Sequence, residues 1–295
     1  MKRCAALLIV LFFATCTAKP KPAALGLPGL PGLPGLPGPL GRSGASGVSW
    51  ESWTTELRVL TYNVKHGRGN DGVIDIARAG EWIRRTGADL VVLQEIDREA
   101  KRSGQQDQMA LLAAQTGLEM RFGAFMPYQG GEYGMGLLSR FPILASANHR
   151  LPEGAEPRTA LDARVRLPNG DELLLCGVHL YRTEEERLAQ ARELIRIYDK
   201  VELPVLLAGD FNSEPGSLVM NEVERHWSRV NKGPDHLTCP SDAPEAEIDF
   251  VLFRPWNRFK VVSVEVLDEP VVSDHRPVLM VVHLVPGALA LPAQR

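Results

Sequence analysis

The sequence predicts an α/β layered domain over residues 50–295, preceded by two short segments of different character. Three observations predict it. Short apolar runs rich in Val, Leu and Ile recur between turn residues from Trp50 onward, helical patterns fall between them, and several runs are apolar at successive positions instead of alternating. The last feature suits strands that meet a sheet partner on one side and helices on the other. With 295 residues and 44% hydrophobic content the chain can bury a large core, so one domain plus an appendage is expected.

Strands are predicted at 57–64 (LRVLTYNV), 88–96 (ADLVVLQEI), 136–140, 159–167, 171–180 (DELLLCGVHL), 203–209, 247–253, 260–267 and 276–285. Helices are predicted at 74–86, 106–116, 184–200 and 217–227. The third is the clearest. Thr183 with Glu186 forms a capping box, and Leu188, Ala191, Ile195 and Tyr198 fall on one face. No internal repeat is visible in this region.

Residues 1–18 have the layout of a secretory signal: Lys2 and Arg3, an apolar stretch AALLIVLFFA, then small residues up to Ala18. Cys16 stands where a bacterial lipoprotein carries its lipidated cysteine, giving membrane attachment as one outcome and cleavage after Ala18 as the other. Export to the periplasm, the outer membrane or the exterior is expected either way. Residues 19–49 form a Pro/Gly-rich linker, with glycine at every third position from Gly26 to Gly47. Such Gly-X-Y periodicity is what a collagen triple helix needs. An extended spacer on a monomer is the first reading of so short a run, and a trimer through 26–47 the second. Of the four cysteines only Cys176 and Cys239 lie in the domain, enough for at most one bridge, and Cys176 reads as a core thiol.

Five basic residues and no acidic one precede residue 50, which leaves 28 basic and 36 acidic side chains in the domain, a net charge of −8. A nonspecific binder of long nucleic acid normally has the opposite bias. Walker, HExxH, paired CxxC and GxSxG motifs are absent, so a P-loop, a zinc protease and a serine hydrolase are not supported. QGGEYGMG (129–136) reads as a turn before a strand, and HGRGNDG (66–72) as a loop that brings His66 and Arg68 to the strand end carrying Asn63, with His66 expected to bind substrate there.

Polar residues at the ends of apolar strands are where a layered fold exposes chemistry. Asn63 and His66 follow LRVLTYNV, Glu95 follows ADLVVLQ, His179 follows LLLCGV, Asp210 and Asn212 follow PVLLAG, Asp249 interrupts EIDFVLF, and Asp274 and His275 precede RPVLMVV. Each alone has a plain structural reading as turn former or core histidine. Together, carboxylates from separate strands with an asparagine and two histidines are what Mg²⁺ binding and attack on a phosphate require.

TYNVKHG (61–67), LQE (93–95), GVHL (177–180), AGDFN (208–212), IDFVL (248–252) and SDHRPV (273–278) resemble, in order and spacing, the motifs of the endonuclease/exonuclease/phosphatase superfamily. RSGQQDQ (102–108), YGMGLLSRFPI (133–143) and EPRTAL (156–161) are similar to stretches of its short bacterial members. The resemblance implies a four-layer sandwich, two mixed β-sheets face to face with helices outside, and a hydrolase dependent on Mg²⁺ or Mn²⁺. It implies Glu95 as principal metal ligand with Asn63, Asp274 and Asp210 beside it. It also implies Asp210 and Asn212 at the scissile phosphate, His275 fixed by Asp249 as base or phosphoryl ligand, His179 facing the phosphate, and Arg158 as a phosphate clamp. The general acid stays open between Asp210 and His179. Met135, where many members have asparagine or a small residue, and Cys239, where an aromatic is common, depart from the pattern and are expected near the mouth of the site.

A phosphoesterase on a small or lipid-borne phosphate ester is the reading these features favour. A nuclease of the same fold, with nucleic acid as substrate, is the alternative. A collagen-like surface protein with a merely binding head would have lost catalytic positions, and all are present.

Overall fold

The computed structural model describes residues 55–286. The expected signal sequence (1–18), Cys16 and the linker (19–49) with its 26–47 repeat lie outside the described residues. Twelve strands make two six-stranded sheets. The first orders β11 (Phe259–Val266), β12 (Val278–Leu284), β1 (Thr55–Asn63), β2 (Leu90–Arg98), β4 (Gly131–Ser139) and β3 (Glu119–Tyr128). The second orders β5 (Ile143–Arg150), β6 (Thr159–Arg166), β7 (Glu172–His179), β8 (Val205–Asp210), β10 (Asp249–Arg254) and β9 (Ser228–Arg229). Both are mixed: β1 runs parallel to β2 and β7 parallel to β8, while the other pairings are antiparallel.

The successive apolar positions have a direct cause. In β1, Leu57 and Val59 enter the core between the sheets, while Leu60 and Tyr62 enter a second core beneath α1 (Ile76–Thr86) and α2 (Gln108–Thr116). In β7, Leu173 and Leu175 face the other sheet, while Leu174, Cys176 and Val178 pack under α3 (Glu184–Tyr198) and α4 (Leu218–Val223). Side chains alternate faces along a strand, so a strand with a core on each face is apolar throughout. The result is the expected order of helices, sheet, sheet, helices.

All four helices form within the predicted spans, each with a side-chain cap: Asp75 accepts from Ala77 N, Asp107 from Ala110 N, Thr183 from Glu186 N and Ser217 from Met220 N. The Thr183 hydroxyl also donates to the Glu186 carboxylate, whose other oxygen accepts from Ala155 N. On α3 the buried face is Gln190, Ala191, Leu194 and Tyr198, with Ile195 at its edge. Three strands were not predicted. All lie at sheet edges or beside the last full strand: β3 contains Gly123 and Pro127, β5 is largely exposed, and β9 is two residues long. An edge strand buries less and needs fewer apolar residues.

Cys176 and Cys239 are both buried and unbridged. The departures from the motif pattern sit deeper than expected. Met135 is fully buried in the core between the sheets, and Cys239 is fully buried in the loop that braces the site from behind.

Candidate active site

The alternation that builds two cores also delivers the polar strand ends to one place. Asn63 shares the face of Leu57 and Val59, His179 that of Leu173 and Leu175, Asp210 that of Leu206 and Ala208, and Asp249 that of Val251 and Phe253. Each therefore points into the space between the sheets, at their common end. In the second sheet His179 pairs with Asp210 and Asp210 with Asp249, which lines up the three side by side. Gly209 makes this close approach possible. At its φ of 148° a Cβ would lie 1.9 Å from the Val178 carbonyl oxygen, so no other residue fits between Ala208 and Asp210.

Glu95 arrives by a different device. Leu93 points to the helix side, and regular alternation from it would send residue 95 the same way. Instead the β2–β4 register skips Glu95, pairing Gln94 with Met135 and Ile96 with Gly134. Glu95 is the extra residue of a β-bulge, held at a φ of 58°. Its carboxyl accepts from Asn63 Nδ2 at 3.2 Å. A non-glycine residue in this strained region is held there by its surroundings.

The cluster is tightly bonded. Asn63 Nδ2 also lies 3.1 Å from Asp210 Oδ2, bridging the two sheets. Around the same Asp210 oxygen stand His179 Nε2 at 3.4 Å and His275 Nε2 at 3.8 Å. His275 Nδ1 meets Asp249 Oδ2 at 2.9 Å, which fixes the ring. Asn212, at a φ of 48°, donates its backbone N–H to Asp210 Oδ1 and its amide to the Leu180 carbonyl. Lys65 Nζ lies 2.6 Å from Asp274 Oδ2.

Burial, followed by nearby Asp249, pushes Asp210 up to about 7. Burial and then Asp274 raise Glu95. Burial pulls His275 down, but Asp249 and Asp210 outweigh it and hold the imidazole well above its ordinary value. Burial, then Arg158 and His275, keep His179 well below its own. The buried Asp249 Oδ1 and His179 Nδ1 have no hydrogen-bond partner among the described residues. Raised carboxyls and an undonated carboxylate oxygen describe a cluster short of positive charge. Such oxygen donors fit a hard divalent cation.

Two donor sets share Asp210. Of the set expected from sequence, the Asn63 amide joins Glu95 to Asp210 across the sheets, and Asp274 acts electrostatically on Glu95. Ligand atoms of Asp210, Asp249 and His275 also lie within 4.8 Å of one another; Asp249 engages His275 Nδ1, and His275 Nε2 faces Asp210 at 3.8 Å. Arg158 is buried beside them, stacked on Phe125, Tyr133 and Tyr181 and paired with Glu156. It acts electrostatically on His179 and Glu95. His66 stands apart. It is buried, its carbonyl accepts from Gln108 Nε2, and its main electrostatic neighbours are Arg102 and Asp97.

Three supporting residues escaped the reading of the sequence. Ser273 Oγ donates to the Asn63 carbonyl at 2.6 Å, and Thr238 Oγ1 accepts from the backbone of Ile248 and Asp249. Lys65 is the third. Ser273 and Lys65 lie inside SDHRPV and TYNVKHG, so the motifs contained them, but nothing in their residue type signalled the contact.

Solved structures share this architecture. An endonuclease/exonuclease/phosphatase from Beutenbergia cavernae is 26% identical, with a TM-score of 0.64 over 79% of this chain and 73% of that one. The mannosyl-6-phosphatase Bt3783 of Bacteroides thetaiotaomicron is 18% identical, with a TM-score of 0.60 over 77% and 99%. The human Nocturnin catalytic domain with bound sulfate is 20% identical, with a TM-score of 0.59 over 77% and 94%. Since the strand ends that converge here all lie within residues 60–275, the span that matches the family model, the chain belongs to the Endonuclease/Exonuclease/phosphatase family of phosphoester hydrolases.

Proposed function

We propose that the protein is a divalent-cation-dependent phosphoesterase that hydrolyses a small or lipid-borne phosphate ester, a phosphodiester foremost, by attack of water at phosphorus. The observation that carries this reading is the meeting of Asn63 and Glu95 from one sheet with His179, Asp210 and Asp249 from the other, around the Asp249–His275 pair. Glu95, Asp274, Asp210 and Asn63 would hold Mg²⁺ or Mn²⁺. The cation, when bound, offsets charge on the phosphoryl oxygens.

The remaining roles belong to the chain's own groups. Asp249 fixes the tautomer and plane of His275, whose Nε2 faces the phosphate position beside Asp210. Asp210 takes the proton of the attacking water as the new P–O bond forms. His275, held protonated by Asp249 and Asp210, binds a phosphoryl oxygen, and when the old P–O bond breaks the departing alkoxide takes its proton from Asp210, which has just received one from the water, or from His179. Neutral His179 and the Asn212 amide orient the phosphoryl group, with Arg158 adding positive potential behind them.

The acidic domain, net −8, weighs against long nucleic acid as substrate. The names of the solved relatives, a phosphatase among them, are compatible with a small ester. We also propose export by residues 1–18, with a lipid on Cys16 or cleavage after Ala18, and a monomeric domain spaced from the membrane by 19–49. The test is to offer the purified protein bis-p-nitrophenyl phosphate, p-nitrophenyl phosphate, sphingomyelin and plasmid DNA with Mg²⁺ or Mn²⁺, with EDTA and His275→Ala as controls. Turnover of a small or lipid ester that EDTA and His275→Ala abolish is expected. No turnover of any, or equal turnover by the variant, overturns the site; plasmid nicking far above lipid or small-ester turnover makes it a nuclease.

A further inference from the structure

We propose that Lys65 is a resident counter-cation of the divalent-ion site, which holds Asp274 and lowers the affinity of the site for the ion. The inference rests on the metal-dependent reading above and adds a residue to it. The carboxylates of Glu95, Asp210 and Asp249 meet at one end of the sandwich, Asp274 acts electrostatically on Glu95, and Lys65 places an ammonium 2.6 Å from Asp274 Oδ2. Both side chains are largely shielded, 22% and 15% exposed, so the pair is more than a surface contact between mobile groups.

The backbone is committed to this placement. Lys65 and His66 have φ of 45° and 47°, and Gly67 follows at 80°, three successive left-handed residues of which two carry side chains. Neighbours fix each one. Lys65 N donates to Asn63 Oδ1 at 3.1 Å, the His66 carbonyl accepts from Gln108 Nε2 at 2.8 Å, and Gly67 packs so closely on α1 that a Cβ would come within 2.9 Å of Ile76 N. The strain is therefore imposed by the surroundings, and its result is that the side chain after the Asn63 turn reaches across to Asp274. The same bond from Lys65 N turns the Asn63 amide so that its Nδ2 faces Glu95 and Asp210.

The chemical consequence is a site whose negative charge is partly met before any ion arrives. A divalent ion entering beside Asp274 must share that carboxylate with the ammonium, and the two cations repel. Binding is weakened, and the ammonium remains available as a donor to a phosphoryl oxygen.

Mn²⁺ binding to the full chain, measured by electron paramagnetic resonance or calorimetry without substrate, tests this. Lys65→Met is expected to bind Mn²⁺ roughly tenfold more tightly than the parent, the order set by a unit charge several ångströms from a divalent ion under partial screening. Lys65→Arg, which keeps the charge, is expected to stay within about threefold of the parent and to control for damage to the turn. Tightening in Lys65→Met beyond threefold, absent from Lys65→Arg, supports the proposal. A smaller change, weaker binding, or equal tightening in both variants overturns it while the metal reading stands. A parent chain that binds no Mn²⁺ overturns both.

Discussion

Glu95 offers a test that separates the backbone device from the chemistry it delivers. The bulge holds it at a φ of 58°, where a residue with a Cβ costs about 1–2 kcal/mol and glycine costs nothing. Glu95→Ala removes the carboxyl and keeps the strain; Glu95→Gly removes both. Glycine returns about 0.5–1 kcal/mol through the greater freedom of the unfolded chain, so it should be more stable than alanine by roughly 0.5–1 kcal/mol. For a domain of this size that is about 1–4 °C in Tm. Removing the carboxyl also relieves its crowding with Asp274, which raises Glu95 alongside burial. Both variants are therefore expected to melt no lower than the parent, and glycine highest. Activity should go the other way, with kcat/KM on bis-p-nitrophenyl phosphate falling about a thousandfold in each, as for loss of a principal electrostatic group. Thermal melts and steady-state kinetics on the three proteins decide it. Alanine as stable as glycine would show that the bulge stores no strain at Glu95. Activity within tenfold of the parent would remove Glu95 from the site.

Three further predictions follow from other parts of the molecule. If Asp249 acts only by fixing His275, then Asp249→Asn and His275→Gln should each lower kcat/KM about 10²- to 10⁴-fold, and the double variant should be no worse than His275→Gln; losses that multiply would mean independent roles. His66, lowered to about 4 chiefly by burial, takes up its proton in the unfolded chain near 6.5 but in the folded chain only near 4. Its contribution is thus complete above 6.5 and is lost as the pH falls through that window, on the order of 3 kcal/mol in all; His66→Asn should flatten the denaturant-midpoint profile between pH 4 and 6.5, and an unchanged slope would refute the assignment. Cys176 is fully buried and its thiol is raised well above its ordinary value by burial, then by Asp162. Peptide mass spectrometry after treatment of the native protein with iodoacetamide at pH 9 should find it unmodified, and rapid labelling would show that the α3 layer opens readily.

The sequence determined the layer order. Runs such as LRVLTYNV and DELLLCGVHL are apolar at every position because each has a core on both faces, and that pattern is written in residue type alone. It also carried the meeting of Asn63, His179, Asp210 and Asp249, because these side chains occupy the ends of those runs and strand parity sends them to the same inner space. The edge strands β3, β5 and β9 carried no such mark, since a strand with one partner needs little hydrophobic content. What only the tertiary structure decided was direction at the irregular points. Glu95 enters the site through a bulge whose register depends on β4, and Lys65 reaches Asp274 through a left-handed turn held by Gln108 and Ile76, partners 40 or so residues away at most but on other elements. Met135, expected at the mouth, follows the parity of Tyr133 and Leu137 into the core between the sheets, and Cys239 is buried in a loop. A local run states which residues are apolar, but where a chain leaves its regular period its side chains are aimed by neighbours that the run does not contain.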